Sequence, residues 1–173
     1  YSNLGIILSD LGKLEEAEGF QRKAIKLKSN FADSHSNLAN VLFNLGKIDE
    51  AIIHGKKAVE LKPDDDKLVI SLANNLCYKQ KYELALKYLS KNKSNSCQSI
   101  YLGCLLSLDK EKEFNEKYKE LSENKACNAD IGGVIEHANI IYGKQYESPF
   151  CNEAIKYVFI EKINETSFSD NHL

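Results

Sequence analysis

The chain has 173 residues, of which 43% are hydrophobic and 28% are charged, and its formal net charge is −2. These proportions exclude a disordered chain, which would have fewer hydrophobic residues and a larger charge imbalance. The 23 basic and 25 acidic residues give no overall positive field, so we expect no nucleic-acid partner.

The sequence has no feature that predicts membrane insertion or export. No hydrophobic run approaches the roughly 18 residues of a transmembrane helix, and the N-terminus has no basic segment followed by a hydrophobic one. The five cysteines are odd in number and form no C-x-x-C pair, which argues against a disulfide framework or a zinc knuckle. We therefore expect a cytoplasmic protein without a membrane partner.

A repeat with a period of 34 residues begins at the N-terminus. The shift superposes Leu4 on Leu38, Gly5 on Ala39, Leu8 on Leu42, Leu11 on Leu45, Gly12 on Gly46, Lys13 on Lys47, Glu16 on Glu50, Ala17 on Ala51, Ala24 on Ala58 and Leu27 on Leu61. A third copy retains Leu72, Ala73, Leu76 and Ala85, but Gln80 replaces the glycine. We place the three repeats at residues 1–30, 31–64 and 65–92.

Each repeat has the pattern of two amphipathic helices. Leu38, Leu42 and Leu45 lie at i, i+4 and i+7, and a second hydrophobic face follows around Ala51 and Ala58. Gly46 follows the first helix, where a residue that tolerates positive φ can close a turn. The small alanines allow two helix backbones to approach closely, so we interpret them as packing residues.

This pattern resembles the tetratricopeptide repeat, a 34-residue helix-turn-helix unit. The residues that carry the resemblance are Tyr1, Leu4, Gly5, Leu8, Gly12, Ala17 and Ala24 in the first repeat and His35, Leu38, Ala39, Leu42, Gly46, Ala51, Ala58 and Pro63 in the second. Gln21 and Gly55 depart from it, because the family usually has an aromatic residue there. The resemblance implies an all-α fold, an α–α superhelix of antiparallel helix pairs.

The repeat becomes irregular after residue 92. We predict a degenerate fourth helix pair over 93–127, with Phe114, Tyr118 and Leu121 as the hydrophobic stripe of its second helix. Residues 128–173 are predicted to form capping helices and a tail: one helix from Asn128 to Tyr142, a loop at Pro149, another helix from Asn152 to Ile163, and a frayed end.

The family resemblance also implies a peptide-binding groove on the first helices. The positions on either side of the Leu-Gly/Ala pair face this groove in the family, and further positions lie on the same face. Carried over, the candidate binding residues are Asn3, Asn37, Asn40, Asn44, Asn74, Lys67 and Tyr78, with Ser71 and Ile6 at equivalent positions.

Asparagine amides both donate and accept hydrogen bonds, so a column of them can bind the backbone of an extended peptide. The column is similar to the asparagine-lined solenoids of protein O-GlcNAc transferases. The alternative is that these asparagines are only solvated surface residues. A groove for a C-terminal carboxylate needs several basic residues, and Lys67 is the main one here, so we disfavour that subclass.

We find no set of residues that predicts catalysis, a metal or a cofactor. The nucleotide-binding, nucleophile-elbow and metalloprotease motifs are absent. His35 occupies a packing position of the repeat, and buried packing is the more common role for Cys97 and Cys104. Asp64 to Asp66 precede a predicted helix, where we expect capping rather than calcium binding.

Two functions fit these observations. The first is a non-catalytic protein-protein interaction scaffold that binds an extended peptide in its groove. The second is the substrate-presenting arm of a larger enzyme, similar to a glycosyltransferase or to an iron and 2-oxoglutarate oxygenase, whose catalytic domain is outside this sequence. The chain begins at Tyr1 within a repeat helix, so we expect further residues upstream. Self-association through exposed helix faces is a third possibility.

Overall fold

The computed structural model describes residues 1–123 and 129–146. Within these ranges the chain forms nine α-helices and no strand, which confirms the predicted all-α fold. The helices are α1 (Ser2–Asp10), α2 (Leu14–Leu27), α3 (Ala32–Asn44), α4 (Ile48–Leu61), α5 (Asp66–Tyr78), α6 (Tyr82–Leu89), α7 (Asn95–Ser107), α8 (Glu111–Glu123) and α9 (Ala129–Tyr142). Among these helices, none has both the length and the hydrophobicity of a membrane span.

The chain divides into two compact units, Tyr1–Lys110 and Glu111–Leu173. In the first unit each helix packs against the next, and the first helices of successive pairs, α1, α3, α5 and α7, also contact one another. These first helices therefore form one layer of a helix-pair solenoid, the architecture that the repeat predicts. The predicted division into repeats, a fourth pair and a cap stays a prediction.

The turns between paired helices share one backbone geometry. Gly12 and Gly46 have φ values of 74° and 75°, and Gln80 adopts a φ of 55° at the equivalent place. In each turn the N–H of the next residue donates to a carbonyl near the end of the first helix: Lys13 to Leu8, Lys47 to Leu42 and Lys81 to Leu76, at 2.8 to 2.9 Å. This bond and the positive φ are those of a Schellman-type helix end.

The small residues of the second repeat lie in the core, as predicted. Leu38, Ala39, Leu42 and Ala51 form one fully buried cluster. Gly55 lacks the aromatic side chain that the family usually has, and Leu72 of the next repeat occupies the adjacent space. A Cβ placed on Gly55 would lie 3.2 Å from the Leu72 Cδ1 atom.

Gln21 replaces the aromatic residue in the first repeat and is completely buried. Its Nε2 donates to the Ser2 carbonyl at 2.9 Å, and the Ser2 hydroxyl donates to its Oε1 at 3.2 Å. These bonds compensate the cost of burying an amide. Gly5 makes room for it, since a Cβ there would lie only 2.5 Å from Gln21 Nε2.

The second compact unit is described for α8, α9 and the residues that follow α9. Phe114 is fully buried, with its ring 5.8 Å from Tyr142 and 5.6 Å from Tyr146, while Tyr118 lies 5.2 Å from Tyr146. Leu121 is also buried, which confirms the predicted stripe. The predicted loop at Pro149, the helix from Asn152 to Ile163 and the tail lie outside the described residues.

Candidate functional site

A pocket of about 530 Å³ lies between α3 and α5. Its lining residues are Asn40, Phe43, Asn44, Lys67, Ile70, Ser71, Asn74 and Asn75. We call it the α3–α5 pocket. It brings together four of the predicted binding residues, which are Asn40, Asn44, Lys67 and Asn74.

Helical periodicity explains why these residues share one surface. Asn40 and Asn44 are one turn apart on α3, whereas Lys67, Ser71 and Asn74 lie at i, i+4 and i+7 on α5. The contact between α3 and α5 places the two rows beside each other. The pocket is therefore a product of the repeat, built by equivalent faces of consecutive first helices.

One hydrogen bond crosses the pocket between the two rows. The Ser71 hydroxyl donates to Asn40 Oδ1 at 2.8 Å. Asn44 and Asn74 are exposed, and neither amide has a hydrogen-bond partner among the described residues. The two amides can each offer both a donor and an acceptor to a ligand.

Asn75 is a pocket residue with a buried hydrogen-bond donor that has no acceptor. Its side chain is 5% exposed, and its Nδ2 atom is buried without a hydrogen-bond partner in the described protein. A buried donor without a partner costs about 1–3 kcal/mol, so such atoms are rare in folded proteins. Asn75 lines the pocket, so a ligand acceptor that reached this atom would supply the missing bond.

Lys67 provides a positive charge at the start of α5. Its backbone N–H donates to Asp65 Oδ1 at 3.1 Å, which confirms the capping role predicted for this acidic segment. Asp66 accepts a hydrogen bond from Asn92 Nδ2 at 2.7 Å. No carboxylate of the described residues forms an ion pair with the Lys67 ammonium group, which therefore remains available to a ligand carboxylate.

An aromatic pair lies at one side of the pocket. The rings of Phe43 and Tyr78 meet edge to face, with centroids 5.1 Å apart and an interplanar angle of 75°. Tyr78 is 66% exposed although it is held against Phe43. This arrangement offers a hydrophobic contact next to the amide-rich surface.

The remaining predicted binding residues lie elsewhere on the same layer. Asn37 donates from Nδ2 to the Ser2 hydroxyl at 3.3 Å, and so connects α3 to α1. Asn3 is exposed on α1. Neither residue lines the α3–α5 pocket. The seven candidates therefore divide into four lining residues, Tyr78 beside the pocket against Phe43, and two outlying residues.

Three lining residues were not among the sequence candidates: Phe43, Ile70 and Asn75. A signal for Asn75 was present, since the 34-residue period aligns it with Val41 and Ile7. Val41 is 2% exposed. Ile7 at the same position is 55% exposed, so the feature is an asparagine where the other two repeats have an apolar residue.

A second cavity, of about 500 Å³, contains a histidine pair. His35 and His54 approach with 3.0 Å between their Nδ1 atoms, and His35 Nε2 lies 3.0 Å from the Ser29 carbonyl. The carbonyl can only accept, so His35 Nε2 carries a hydrogen, and in neutral His35 the Nδ1 atom accepts from His54. Burial lowers the pKa of His54, and the nearby His35 and Arg22 lower it further.

This histidine pair is explained by packing, as the repeat position of His35 predicts. His35 is buried, and its ring stacks on that of His54 with centroids 5.3 Å apart. Within the described residues, no three His, Cys, Asp or Glu side chains are close enough together to hold a metal ion. The α3–α5 pocket is thus the stronger candidate for a binding site.

Comparisons with known proteins agree with the repeat architecture. A family model described as "Tetratricopeptide repeat" matches residues 32–65, and a second model with the same description matches residues 1–28. The comparison with curated proteins found no match.

Solved structures share the fold at low sequence identity. YrrB, described as a TPR protein with an unusual peptide-binding site, is 23% identical with a TM-score of 0.61, over 80% of this chain and 76% of its own. MamA is 18% identical with a TM-score of 0.63, and the match covers 96% of this chain and 98% of MamA. PilF of Pseudomonas aeruginosa is 18% identical with a TM-score of 0.61, and the match covers 82% of this chain and 69% of PilF.

Proposed function

We propose that this chain, whose residues 1–28 and 32–65 match the tetratricopeptide repeat, is a protein-interaction scaffold that binds an extended peptide segment of a partner in the α3–α5 pocket. The observation that carries the proposal is the unpartnered, buried Nδ2 atom of Asn75. An acceptor would stabilise this donor, and the carbonyls of an extended peptide are acceptors at regular intervals.

The other pocket residues support the same type of ligand. The free amides of Asn44 and Asn74 can pair with backbone N–H and C=O groups without selecting side chains. A volume of about 530 Å³ is within the usual range for a ligand site of about 300–1,000 Å³, and accommodates a short stretch of peptide. Phe43 and Tyr78 add a contact for a hydrophobic side chain.

Lys67 favours a ligand with an acidic side chain near the start of α5. Its ammonium group has no ion-pair partner among the described residues, and a carboxylate of the peptide would provide one. This lysine is the single basic residue of the pocket lining. We therefore expect an internal acidic residue to be recognised, rather than the C-terminal carboxylate bound by several basic groups.

The proposal can be tested with a displayed library of linear peptides selected on the protein. Selected peptides are then synthesised with a fluorophore, and their dissociation constants are measured by fluorescence polarisation. Asn75→Val introduces the residue found one repeat earlier, at Val41, so the helix should pack normally. We expect it to weaken peptide binding about tenfold, the equivalent of one lost hydrogen bond.

Asn30→Ala is the matched control, because Asn30 is exposed in the α2–α3 connection and does not line the pocket. Its dissociation constant should equal that of the unmodified protein. If the selected peptides bind Asn75→Val and Asn74→Ala as tightly as the unmodified protein, the pocket is not their site and the proposal is wrong.

The same pocket could serve the alternative function, in which the chain presents substrates to the catalytic domain of a larger enzyme. The described residues contain no group that could hold the iron of an oxygenase, so its ligands would have to lie outside them. Sequencing the complete gene tests this alternative, since an oxygenase domain requires an H-x-D/E ligand pair.

We also infer a cytoplasmic location and a capacity for self-association. Cys77, Cys97 and Cys104 are free thiols, as is usual in a reducing compartment.

Self-association would use an exposed hydrophobic surface. Helix α1 exposes Leu4, Ile7 and other hydrophobic side chains that could contact a second copy. Sedimentation velocity over a concentration series measures that association, and imaging of the tagged protein in its source cell tests the location.

A further inference from the structure

Two cysteines from different helix pairs lie in contact in the first compact unit. Cys77 is in the last turn of α5 and Cys104 is in α7, and their Sγ atoms are 3.4 Å apart. A disulfide bond has an S–S length of about 2.05 Å, so each sulfur would need to move by about 0.7 Å. Formation of the bond requires side-chain rotation to supply this displacement.

The two thiols differ in exposure in a way that suits stepwise oxidation. Cys104 is 2% exposed, whereas Cys77 is partly accessible to solvent. Either thiol can donate the hydrogen bond between the two sulfurs. With Cys104 as the donor, this bond lowers the pKa of Cys77 and raises that of Cys104. Cys77 is therefore the thiol that a small oxidant can reach and that more readily forms the reactive thiolate.

From the contact and the exposure of these sulfurs, we propose that Cys77 and Cys104 are a reversible modification site, oxidised by hydrogen peroxide to an intramolecular disulfide that joins α5 to α7. This inference is independent of the proposed peptide-binding function. Cytosolic disulfides of this kind are usually transient and redox-sensing rather than structural.

The reaction is a two-electron oxidation of the thiol pair by one peroxide molecule. The Cys77 thiolate attacks one peroxide oxygen, the O–O bond breaks, and the departing hydroxide takes up a proton to become water. The resulting sulfenic acid is then attacked by the Cys104 sulfur. The S–O bond breaks, the S–S bond forms, and the second water leaves with the proton of Cys104.

Cys97 provides an internal control on the same helix as Cys104. It is completely buried, and burial raises the pKa of its thiol. Although Cys97 and Cys104 are seven residues apart on α7, the structure places Cys104 against Cys77 instead. We therefore expect Cys97 to stay reduced while the Cys77–Cys104 pair is oxidised.

The test is peroxide treatment of the folded, reduced protein, followed by alkylation of the remaining thiols, trypsin digestion and mass spectrometry. Peptide 68–79, which contains Cys77, should be joined to peptide 94–110, which contains Cys97 and Cys104. The joined pair should be about 2 Da lighter than the two reduced peptides together, and dithiothreitol should separate them. The same link should form in Cys97→Ala, which assigns it to Cys104.

Cys104→Ala removes the second thiol and gives an independent measurement. Cys77 should then accumulate as a sulfenic acid, which dimedone labels, and no intramolecular link should form. Circular dichroism checks that this variant is folded, and Cys97→Ala decides the question alone if it is not.

Three results would overturn the proposal. The first is that Cys77 and Cys104 both remain fully alkylatable after peroxide treatment of the folded protein. The second is that Cys77 is linked to Cys97 or to a second molecule. The third is that Cys77 is oxidised irreversibly while Cys104 remains a thiol.

Discussion

Gln80 lies at the position that Gly46 holds one repeat earlier, and both residues have a positive φ, of 55° and 75° respectively. The two turns also make the same backbone hydrogen bonds. The backbone geometry has therefore been kept although the residue that adopts it most easily has been replaced. An L-residue with a side chain is strained in this region by about 1–2 kcal/mol.

We predict that Gln80→Gly stabilises the protein by about 0.5–1 kcal/mol. The substitution relieves the strain at φ 55°, and the greater flexibility of glycine in the unfolded chain offsets part of the gain. Urea unfolding followed by circular dichroism measures the change as a higher midpoint at constant m. Lys87→Gly, at an exposed position in the last turn of α6, should lower the midpoint instead. A lower midpoint for Gln80→Gly would contradict the strain argument.

We predict that Gly5→Ala destabilises the protein by about 1–3 kcal/mol. The new Cβ would enter the space of the Gln21 amide and break its hydrogen bonds to Ser2 in a buried site. Thermal unfolding should show a lower Tm. Gly19→Ala is the matched control, since Gly19 is in α2 with open space around it, and it should raise the Tm. Equal effects of both substitutions would refute the role assigned to Gln21.

We predict that stability decreases as the pH falls below about 6.5, because the pKa of His54 is lower in the folded protein than its ordinary value of 6.5. Below that value the unfolded chain binds a proton that the folded protein does not, so unfolding becomes more favourable. The pH range over which stability decreases extends from about 6.5 down to the pKa of His54 in the folded state. The groups that face His54 are His35, Arg22 and Glu50.

Urea unfolding at several pH values between 5 and 8 measures this dependence. His54→Gln should reduce the change in the free energy of unfolding with pH over this range. A similar slope in His54→Gln would show that the protons are bound elsewhere.

Glu18 joins two helix pairs, and we predict that Glu18→Gln lowers the free energy of unfolding by about 0.5–1 kcal/mol. Its carboxylate accepts from Lys47 and Arg22, both at 2.8 Å. The hydrogen bond from Lys47 is the main cause of its lowered pKa. This stabilisation is present above pH 4.5 and is lost as the pH falls through the lowered pKa.

Chemical denaturation at pH 7 and at pH 3 measures the difference for Glu18→Gln, which should be smaller at pH 3. Glu60→Gln is the control, because the Glu60 carboxylate pairs only with Lys57 among the described residues and both side chains are at least half exposed. Its effect should be close to zero. An equal loss in both variants would show that bridging two helix pairs gives Glu18 no additional stability.

Much of the fold was predictable because the repeat places small and large residues at a fixed period. Ala39, Ala51 and Leu42 are buried where the pattern predicts. The family resemblance also selected Asn40 and Asn74, because residues on equivalent helical faces meet when helix pairs stack. The assignment of a ligand to these residues stays a proposal.

The contacts that sequence could not supply are those between distant residues. Periodicity gives no distance between His35 and His54, or between Cys77 and Cys104, since these pairs do not repeat. Asn75 lies outside the groove positions that the family resemblance implies, because the repeat period aligns it with the buried Val41. Whether its amide is satisfied depends on neighbours from other helices.

The buried amide of Asn75 also determines which ligand atoms should matter most. Dehydration of its Nδ2 group takes place when the protein folds, so a ligand acceptor that reached it would gain the hydrogen bond without dehydrating that donor again. Binding affinity should therefore depend strongly on the main-chain carbonyl oxygen of the ligand that accepts from Asn75. A peptide analogue in which that carbonyl is reduced to a methylene would lose more affinity than one shortened in a solvent-facing side chain.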